Sequence, residues 1–315
     1  MGSDCLSFQI PVIDFSKVSL KHDRGSEGWH RLCIKVREAC ENYGCFEVVY
    51  DKILPKSQAE TFSIVKELFA LPLEKKLRNV NSNPFHAYAG QFTQAPLYES
   101  CAISDASDSD EVRNFVELMW PDGHDHFRQT ISPMIEQLDE LNSLIEKSIL
   151  DSFGLGGKID SIMACKTLLR LQRYKAPPNG DYVNGLDAHT DKLLSAILCA
   201  DQVFGLEVQT KDGQWHKLSP SPNSFIFIVG DPLMAWSNGR LHSAKHRVMM
   251  KGHEERYSLA AFPAPVEGTV VRPQKELVDE EHPQFYKEFD YTDFIKFSLS
   301  KDGMAIDALA TYKLS

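Results

Sequence analysis

The feature that most constrains the fold is a change of period near residue 165. Beyond it, apolar residues stop recurring every three or four positions and gather in short alternating runs. These are TLLRLQRY (167–174), LLSAILCA (193–200), GLEVQT (205–210), WHKL (215–218), FIFIVG (225–230), AWS (235–237), HSAKHRVMM (242–250) and RYSLAAF (256–262). Turn chemistry separates them. KDG (211–213) and SNGR (237–240) are expected as hairpin turns, the second with an Asn-Gly pair that favours type I′. Many short strands at regular spacing indicate a sandwich or barrel of about 100 residues. No internal repeat is visible.

Helical patterning dominates the preceding half. After a short apolar strand in IPVIDFS (10–16), Trp29, Leu32, Cys33, Val36, Cys40 and Tyr43 recur at helical spacing, and Gly44 follows as a stop. CFEVVY (45–50) has strand composition. A second helix is expected after Pro55, carrying Phe62, Val65, Leu68 and Phe69 until Pro72 ends it. Residues 80–112 are weakly patterned and read as a loop, with the acidic segment SDASDSDE. A long helix with Phe127, Ile131, Ile135, Leu138, Leu141, Ile145 and Ile149 in register follows, with a kink expected at Pro133 and a stop at GLGG (154–157). The domain reading is therefore 1–160 helical and mixed, 161–268 all-β, and 269–315 a helical tail on the core.

Bulk properties exclude several classes. A net charge of −10 argues against a broad phosphate-binding surface, since nucleic-acid binders cluster Lys and Arg. No apolar run is long enough to span a bilayer, and the start of the chain lacks a basic segment followed by an apolar one. MGSDCLS falls short of a myristoylation signal because Leu6 stands where Ser or Thr is required. The seven cysteines are odd in number and lack a C-x-x-C pair, which suits free thiols in a reducing compartment. A cytoplasmic monomer is expected.

The chemistry concentrates in the β unit. In LDAHTDKLLSAIL (186–198), His189 and Asp191 stand two apart, so on a strand both face the same side. An exposed turn capped by Asp191 is the bland alternative; a buried carboxylate needs a partner or a metal. A third ligand would come from another strand, with His216, His242, His246 and His253 as candidates among which spacing does not choose. On RYSLAAF, Arg256, Ser258, Ala260 and Phe262 share a face. Turned inward, Arg256 would need an anion, and its planar fork suits a carboxylate; turned outward, it would pair with Glu254 or Glu255. LLRLQRY sets Arg170, Gln172 and Tyr174 on one side, either an exposed edge or the wall of a site. His124 and His126 have no carboxylate in a strand pattern and are expected on the surface.

Together, H-x-D (189–191), H-R-V (246–248) and R-x-S (256–258) resemble the plant 2-oxoglutarate and Fe(II)-dependent dioxygenases. IPVIDFS, EACENYGCFEVV, LFALPLEKK, GLEVQTKDGQW and WSNGRLHSAKHRV resemble that family's segments in the same order, over nearly the whole chain. FVELMWPDGHDHF (115–127) is most similar to the branch with the glucosinolate side-chain dioxygenases.

The resemblance implies a double-stranded β-helix, a cupin-like jelly roll, behind an N-terminal helical region. It implies Fe(II) on His189, Asp191 and His246, the last being the family's distal histidine. It makes Arg256 and Ser258 the anchor for the far carboxylate of 2-oxoglutarate, with Tyr174 assisting and Gln172 standing where asparagine is usual. The implied reaction consumes 2-oxoglutarate and O₂, releases succinate and CO₂, and oxidises one carbon of a small-molecule substrate by hydroxylation, desaturation, dealkylation or ring closure. Ascorbate is the expected reductant.

Phe115, Leu118, Trp120 and Phe262 are the candidate substrate wall. Because 2-oxoglutarate would occupy the one strong cationic anchor, a largely apolar specialised metabolite is expected. A metal-free binding protein on the same scaffold is disfavoured because all five motif residues are kept. A zinc hydrolase would leave Arg256 and Ser258 unexplained and lacks an evident general base. The charge disfavours a nucleic-acid demethylase, and the lack of a spanning apolar run disfavours a membrane partner.

Overall fold

The computed structural model describes residues 8–300, 302–303 and 306–314. The MGSDCLS segment and Cys5 lie outside them. The strands before the expected β unit are β1 (Val12–Asp14), β2 (Cys45–Val49), β3 (Ala89–Gly90) and β4 (Tyr98–Ile103). Within it come β5 (Cys165–Tyr174), β6 (Val183–His189), β7 (Ser195–Ala200), β8 (Leu206–Gln209), β9 (Trp215–Lys217), β10 (Phe225–Val229), β11 (His246–Met250) and β12 (Arg256–Pro265). The helices are α1 (Glu27–Asn42), α2 (Pro55–Ala70), α3 (Leu73–Lys76), α4 (Ser109–Met119), α5 (Asp125–Ser152), α6 (Asp231–Trp236) and α7 (Tyr291–Ser298).

Local chemistry explains most boundaries. Ser26 caps α1 by accepting from the Trp29 amide, and Pro55 opens α2, where its missing N–H costs nothing. His124 caps α5 by accepting from the Phe127 amide, so this half-buried histidine is structural, while His126 is exposed. The helix runs through Pro133 as one element. Its apolar stripe packs against α1 and α2, which form with it the helical layer behind the main sheet.

That sheet has eight strands in the order β1-β2-β10-β7-β12-β5-β4-β3, antiparallel except for β1 beside β2. The second sheet runs β6-β11-β8-β9. The two face each other: Tyr174 of β5 packs over Gly185 at β6, and the stem of Arg256 lies against Gly205 beside β8. The architecture is a two-sheet jelly roll flanked by helices, as the sequence implied.

Four expectations are corrected. Residues 80–112 are not a continuous loop, because every residue of β4 is buried and paired to β5. With α4 opening at Ser109, the segment lacks alternation because both faces of β4 are covered. TLLRLQRY is no exposed edge, since β5 lies between β12 and β4. AWS belongs to α6, a helix begun by Asp231 and Pro232. The Asn-Gly pair therefore ends a helix instead of joining two strands. Asn238 and Gly239 both take positive φ, and Asn238 ties the turn to the tail by accepting from the Phe285 amide at 2.7 Å.

Candidate active site

His189 ends β6 and His246 opens β11, and the two are register partners across adjacent strands. Asp191 follows in the crossing to β7. The His189, Asp191 and His246 ligand atoms lie within 4.8 Å of one another, the only such cluster of three or more His, Cys, Asp or Glu among the described residues. Each histidine Nε2 stands 3.7 Å from Asp191 Oδ1, too far for a hydrogen bond and close enough to share a small cation. Each Nδ1 contacts a backbone carbonyl, His189 with Asp187 at 2.7 Å and His246 with Ala244 at 3.0 Å. A carbonyl only accepts, so Nδ1 carries the proton and Nε2 keeps its lone pair.

The surroundings favour the neutral ring. Crowding by protein and then the neighbouring His246 push the His189 pKa down, against the pull of Asp191. Its side chain is nonetheless 37% exposed, at an opening to solvent, while those of Asp191 and His246 are 10% and 8% exposed. Two Nε2 atoms with their lone pairs free and one carboxylate, clustered and open on one side, fit a divalent iron or similar cation.

His242 is not part of this cluster. It lies before β11, where its amide donates to the Cys40 carbonyl at 2.9 Å. Gly44 is required there: its φ is +71°, and a Cβ would stand 2.3 Å from the His242 carbonyl oxygen.

A brace that sequence reasoning missed holds the Asp191 segment. Buried Asp231 donates its amide to the Asp191 carbonyl at 2.8 Å. Its carboxylate accepts from Lys192 at 2.6 Å, Ser243 at 2.7 Å and Thr190 at 3.1 Å. Burial pushes the Asp231 pKa up, with Lys192 opposing. The signal in the sequence was only Gly-Asp-Pro after a strand. Gly230 is part of the brace, since a Cβ there would fall 1.8 Å from the Leu193 carbonyl oxygen.

Deeper between the sheets, Arg256 is 1% exposed and points inward. Its Nη1 donates to Ser258 Oγ at 2.8 Å, and its guanidinium stacks 4.9 Å from the Tyr174 ring centroid. Ser258 in turn donates to Gln172 Oε1 at 2.9 Å. Among the described residues no carboxylate pairs with Arg256, its Nε has no partner, and burial pulls its pKa down with Tyr174 opposing. A buried, unpaired guanidinium is costly unless an anion joins it. A cavity of about 510 Å³, bordered by Phe62, Leu198, Leu206 and Ile226, reaches Arg256 from the α2 side and does not include the histidines.

The four expected wall residues divide. Phe262 is buried on β12, two residues beyond Ala260 in the phase of Arg256. Phe115 and Trp120 instead set their rings against Phe127 at the start of α5, with centroids 5.8 and 5.1 Å away. Leu118 is half-buried and packs on the core from α4. The aromatic partner of both rings thus belongs to the helical layer.

Comparison with known proteins agrees with this geometry. Residues 165–265 match the family model of the 2OG-Fe(II) oxygenase superfamily, and residues 10–123 match that of the N-terminal region of a non-haem dioxygenase in morphine synthesis. The chain is 42% identical over 306 residues to a probable 2-oxoglutarate-dependent dioxygenase, AOP1, of Arabidopsis thaliana, covering 95% of this chain and 93% of that one. It is 31% identical over 401 residues to the Arabidopsis 2-oxoglutarate-dependent dioxygenase AOP3, covering 96% of each. The crystal structure of a rice dioxygenase for auxin oxidation superposes with a TM-score of 0.82 at 33% identity, over 97% of this chain and 100% of that one. The Arabidopsis counterpart, solved with 2-oxoglutarate, gives 0.78 at 29% identity over 87% and 100%. No helix among the described residues is long and apolar enough to cross a membrane. The chain therefore belongs to the 2-oxoglutarate- and Fe(II)-dependent oxygenase superfamily, in its plant branch beside the AOP proteins, and is a 2-oxoglutarate-dependent dioxygenase.

Proposed function

We propose that the chain oxidises one carbon of a small, largely apolar organic metabolite while 2-oxoglutarate is converted to succinate and CO₂. Fe(II) is held by His189, Asp191 and His246, and ascorbate keeps it reduced. The carrying observation is the pairing of a two-histidine, one-carboxylate cluster with a deeply buried arginine that has no carboxylate partner among the described residues.

Bound Fe(II) supplies the activation of O₂ that drives loss of CO₂ from the keto acid. The chain's residues do the rest. Asp191 offsets part of the cation's charge, and the Nδ1 hydrogen bonds of His189 and His246 fix both rings with Nε2 forward. Arg256 and Ser258 take the far carboxylate of 2-oxoglutarate, Tyr174 flattens against the guanidinium, and Gln172 orients the Ser258 hydroxyl. Phe262 flanks the substrate. Residues 161–268 carry this machinery, and the flanking segments cover it. The rice relative named for auxin oxidation supports a low-molecular-weight substrate.

The test is substrate-dependent succinate formation by Fe(II)-loaded protein across panels of apolar metabolites, amino acids, nucleic acids and peptides. Alanine at His189, Asp191 or His246 should abolish turnover, whereas His242→Ala should retain the metal. Pyruvate, lacking the far carboxylate, should support little turnover. Equal activity with pyruvate, or turnover confined to nucleic acids or peptides, would refute the reading.

A further inference from the structure

Six inward-facing side chains on β12, β5 and β4 form one hydrogen-bonded row. Arg256 donates to Ser258, and Ser258 to Gln172. Gln172 Nε2 reaches the Tyr98 hydroxyl at 3.5 Å, and Tyr98 donates to Ser100 Oγ at 2.9 Å. Arg170 closes the row by donating to Ser100 Oγ and to the Phe85 carbonyl. A guanidinium thus stands at each end, joined only by neutral groups.

Arg170 is 7% exposed. A guanidinium has five N–H donors, and the two bonds to Ser100 and Phe85 leave most of them unspent. No carboxylate pairs with it among the described residues. Neighbouring His86 is pushed down by burial and then by the Arg170 charge, so it offers no compensation. Arg256 is therefore not the only buried guanidinium without a carboxylate partner among the described residues. Sequence reasoning weighed Arg170 only as part of a polar strand face.

Its position separates it from the co-substrate anchor. Arg170 is register partner of Ala260, between the Ser258 level and Phe262. The Asp191 crossing meets β12 at its far end, where the Leu194 amide donates to the Pro263 carbonyl at 3.1 Å. Arg170 thus springs from between the Arg256 level and the end where the metal donors lie. Its guanidinium is tied to Ser100, two strands from the Ser258 that holds Arg256, a separation of about 10 Å. The carboxyl carbons of a five-carbon diacid lie roughly 5 Å apart. One co-substrate does not serve both ends.

We propose that Arg170 is the anchor for the substrate's own carboxylate, so the substrate is a small acid with an apolar body and a single anionic head. The assignment rests on the dioxygenase reading and adds the substrate class. Ser100 and Phe85 are positioning groups that hold the guanidinium with its free N–H groups toward the ligand.

The experiment is anaerobic titration calorimetry of Mn(II)-loaded protein saturated with 2-oxoglutarate. The probes are small aromatic and aliphatic carboxylic acids, each paired with its methyl ester. Wild type should prefer the acid of the best pair by about tenfold or more, the worth of one charge-assisted hydrogen bond. Arg170→Met should erase that preference by weakening the acid and sparing the ester, and Arg170→Lys should restore part of it. In turnover the loss should appear in KM for the acid more than in kcat. Esters binding as tightly as acids in wild type, or an acid preference surviving in Arg170→Met, would overturn the proposal. So would a fall in 2-oxoglutarate affinity matching that of Arg256→Leu, which would assign Arg170 to the co-substrate. If Arg170→Met does not fold, the wild-type pairs and Arg170→Lys decide. The dioxygenase reading fails separately, if no probe of any class stimulates succinate formation by the Fe(II)-loaded wild type.

Discussion

On the outward face of β4 and β5, Lys76 and Arg173 close on one carboxylate, that of Glu99, with Lys76 at 2.9 Å and Arg173 in direct contact. The Tyr88 hydroxyl adds a hydrogen bond at 3.0 Å. On the inward face of β5 and its neighbour β12, Arg170 and Arg256 are both buried and find hydroxyls, an aromatic ring and a carbonyl, but no carboxylate among the described residues. Burial would push the Glu99 pKa up, yet Lys76 and Arg173 hold it below the usual carboxylate range. The contrast separates two uses of buried charge. Outward cations are neutralised within the chain and hold helices to the sheet; inward cations are left for an anion that the chain does not supply.

The comparison breaks most easily at Glu99. Glu99→Ala would leave Lys76 buried without its carboxylate and Arg173 with only Glu255 at 3.8 Å, and stability in urea should fall by about 3–5 kcal/mol. Arg256→Leu is the opposite case. It removes an unpaired charge, so the midpoint should hold or rise, while 2-oxoglutarate affinity by calorimetry falls by about 2–5 kcal/mol. If both variants lose stability equally, the inward arginine is structural and the distinction is false.

A smaller effect sharpens the metal end. Asp231→Asn keeps the shape of the brace but removes the counter-charge of Lys192. Fe(II) affinity, by competition with a chelator, should drop about tenfold to a hundredfold, as for other groups that orient ligands. Unchanged affinity would mean that backbone geometry alone positions Asp191.

The smallest effect is in the pH dependence. Because Glu99 has a lowered pKa in the fold, its contribution is full above the ordinary glutamate range near 4.3 and is lost as pH falls through the lower folded value. Glu99→Gln should flatten that part of the acid limb in urea titrations at successive pH values. A limb identical to wild type would place the acid sensitivity elsewhere.

Much of the site was legible because its spacings are local. His189 with Asp191, and Arg256 with Ser258, are two residues apart, and the pleat alone puts each pair on one side of the chain. The helices α1, α2 and α5 were legible for the same reason, through the 3.6-residue period and the Gly and Pro residues at their ends. What stayed hidden depends on long-range pairing. β4 became a strand only because β5, some 70 residues later, covers its edge. AWS became helical through the Asp-Pro start at 231–232, although its own composition suits a strand.

By itself, then, the sequence determined the change from helical to strand period, the placing of each motif pair on one side of its strand, and the family through motifs in order. Only the tertiary structure decided that Asp231 clamps the Asp191 crossing and that Phe115 and Trp120 set their rings against Phe127, while it brought His246 to His189 as the resemblance implied. It alone left Arg170 buried beside Ser100 and Phe85, residues 70 and 85 positions away, with no carboxylate partner among the described residues. The reason is physical. A pleat or a helical turn is written in neighbouring residues, whereas a charge's partner is set by which distant strands lie side by side.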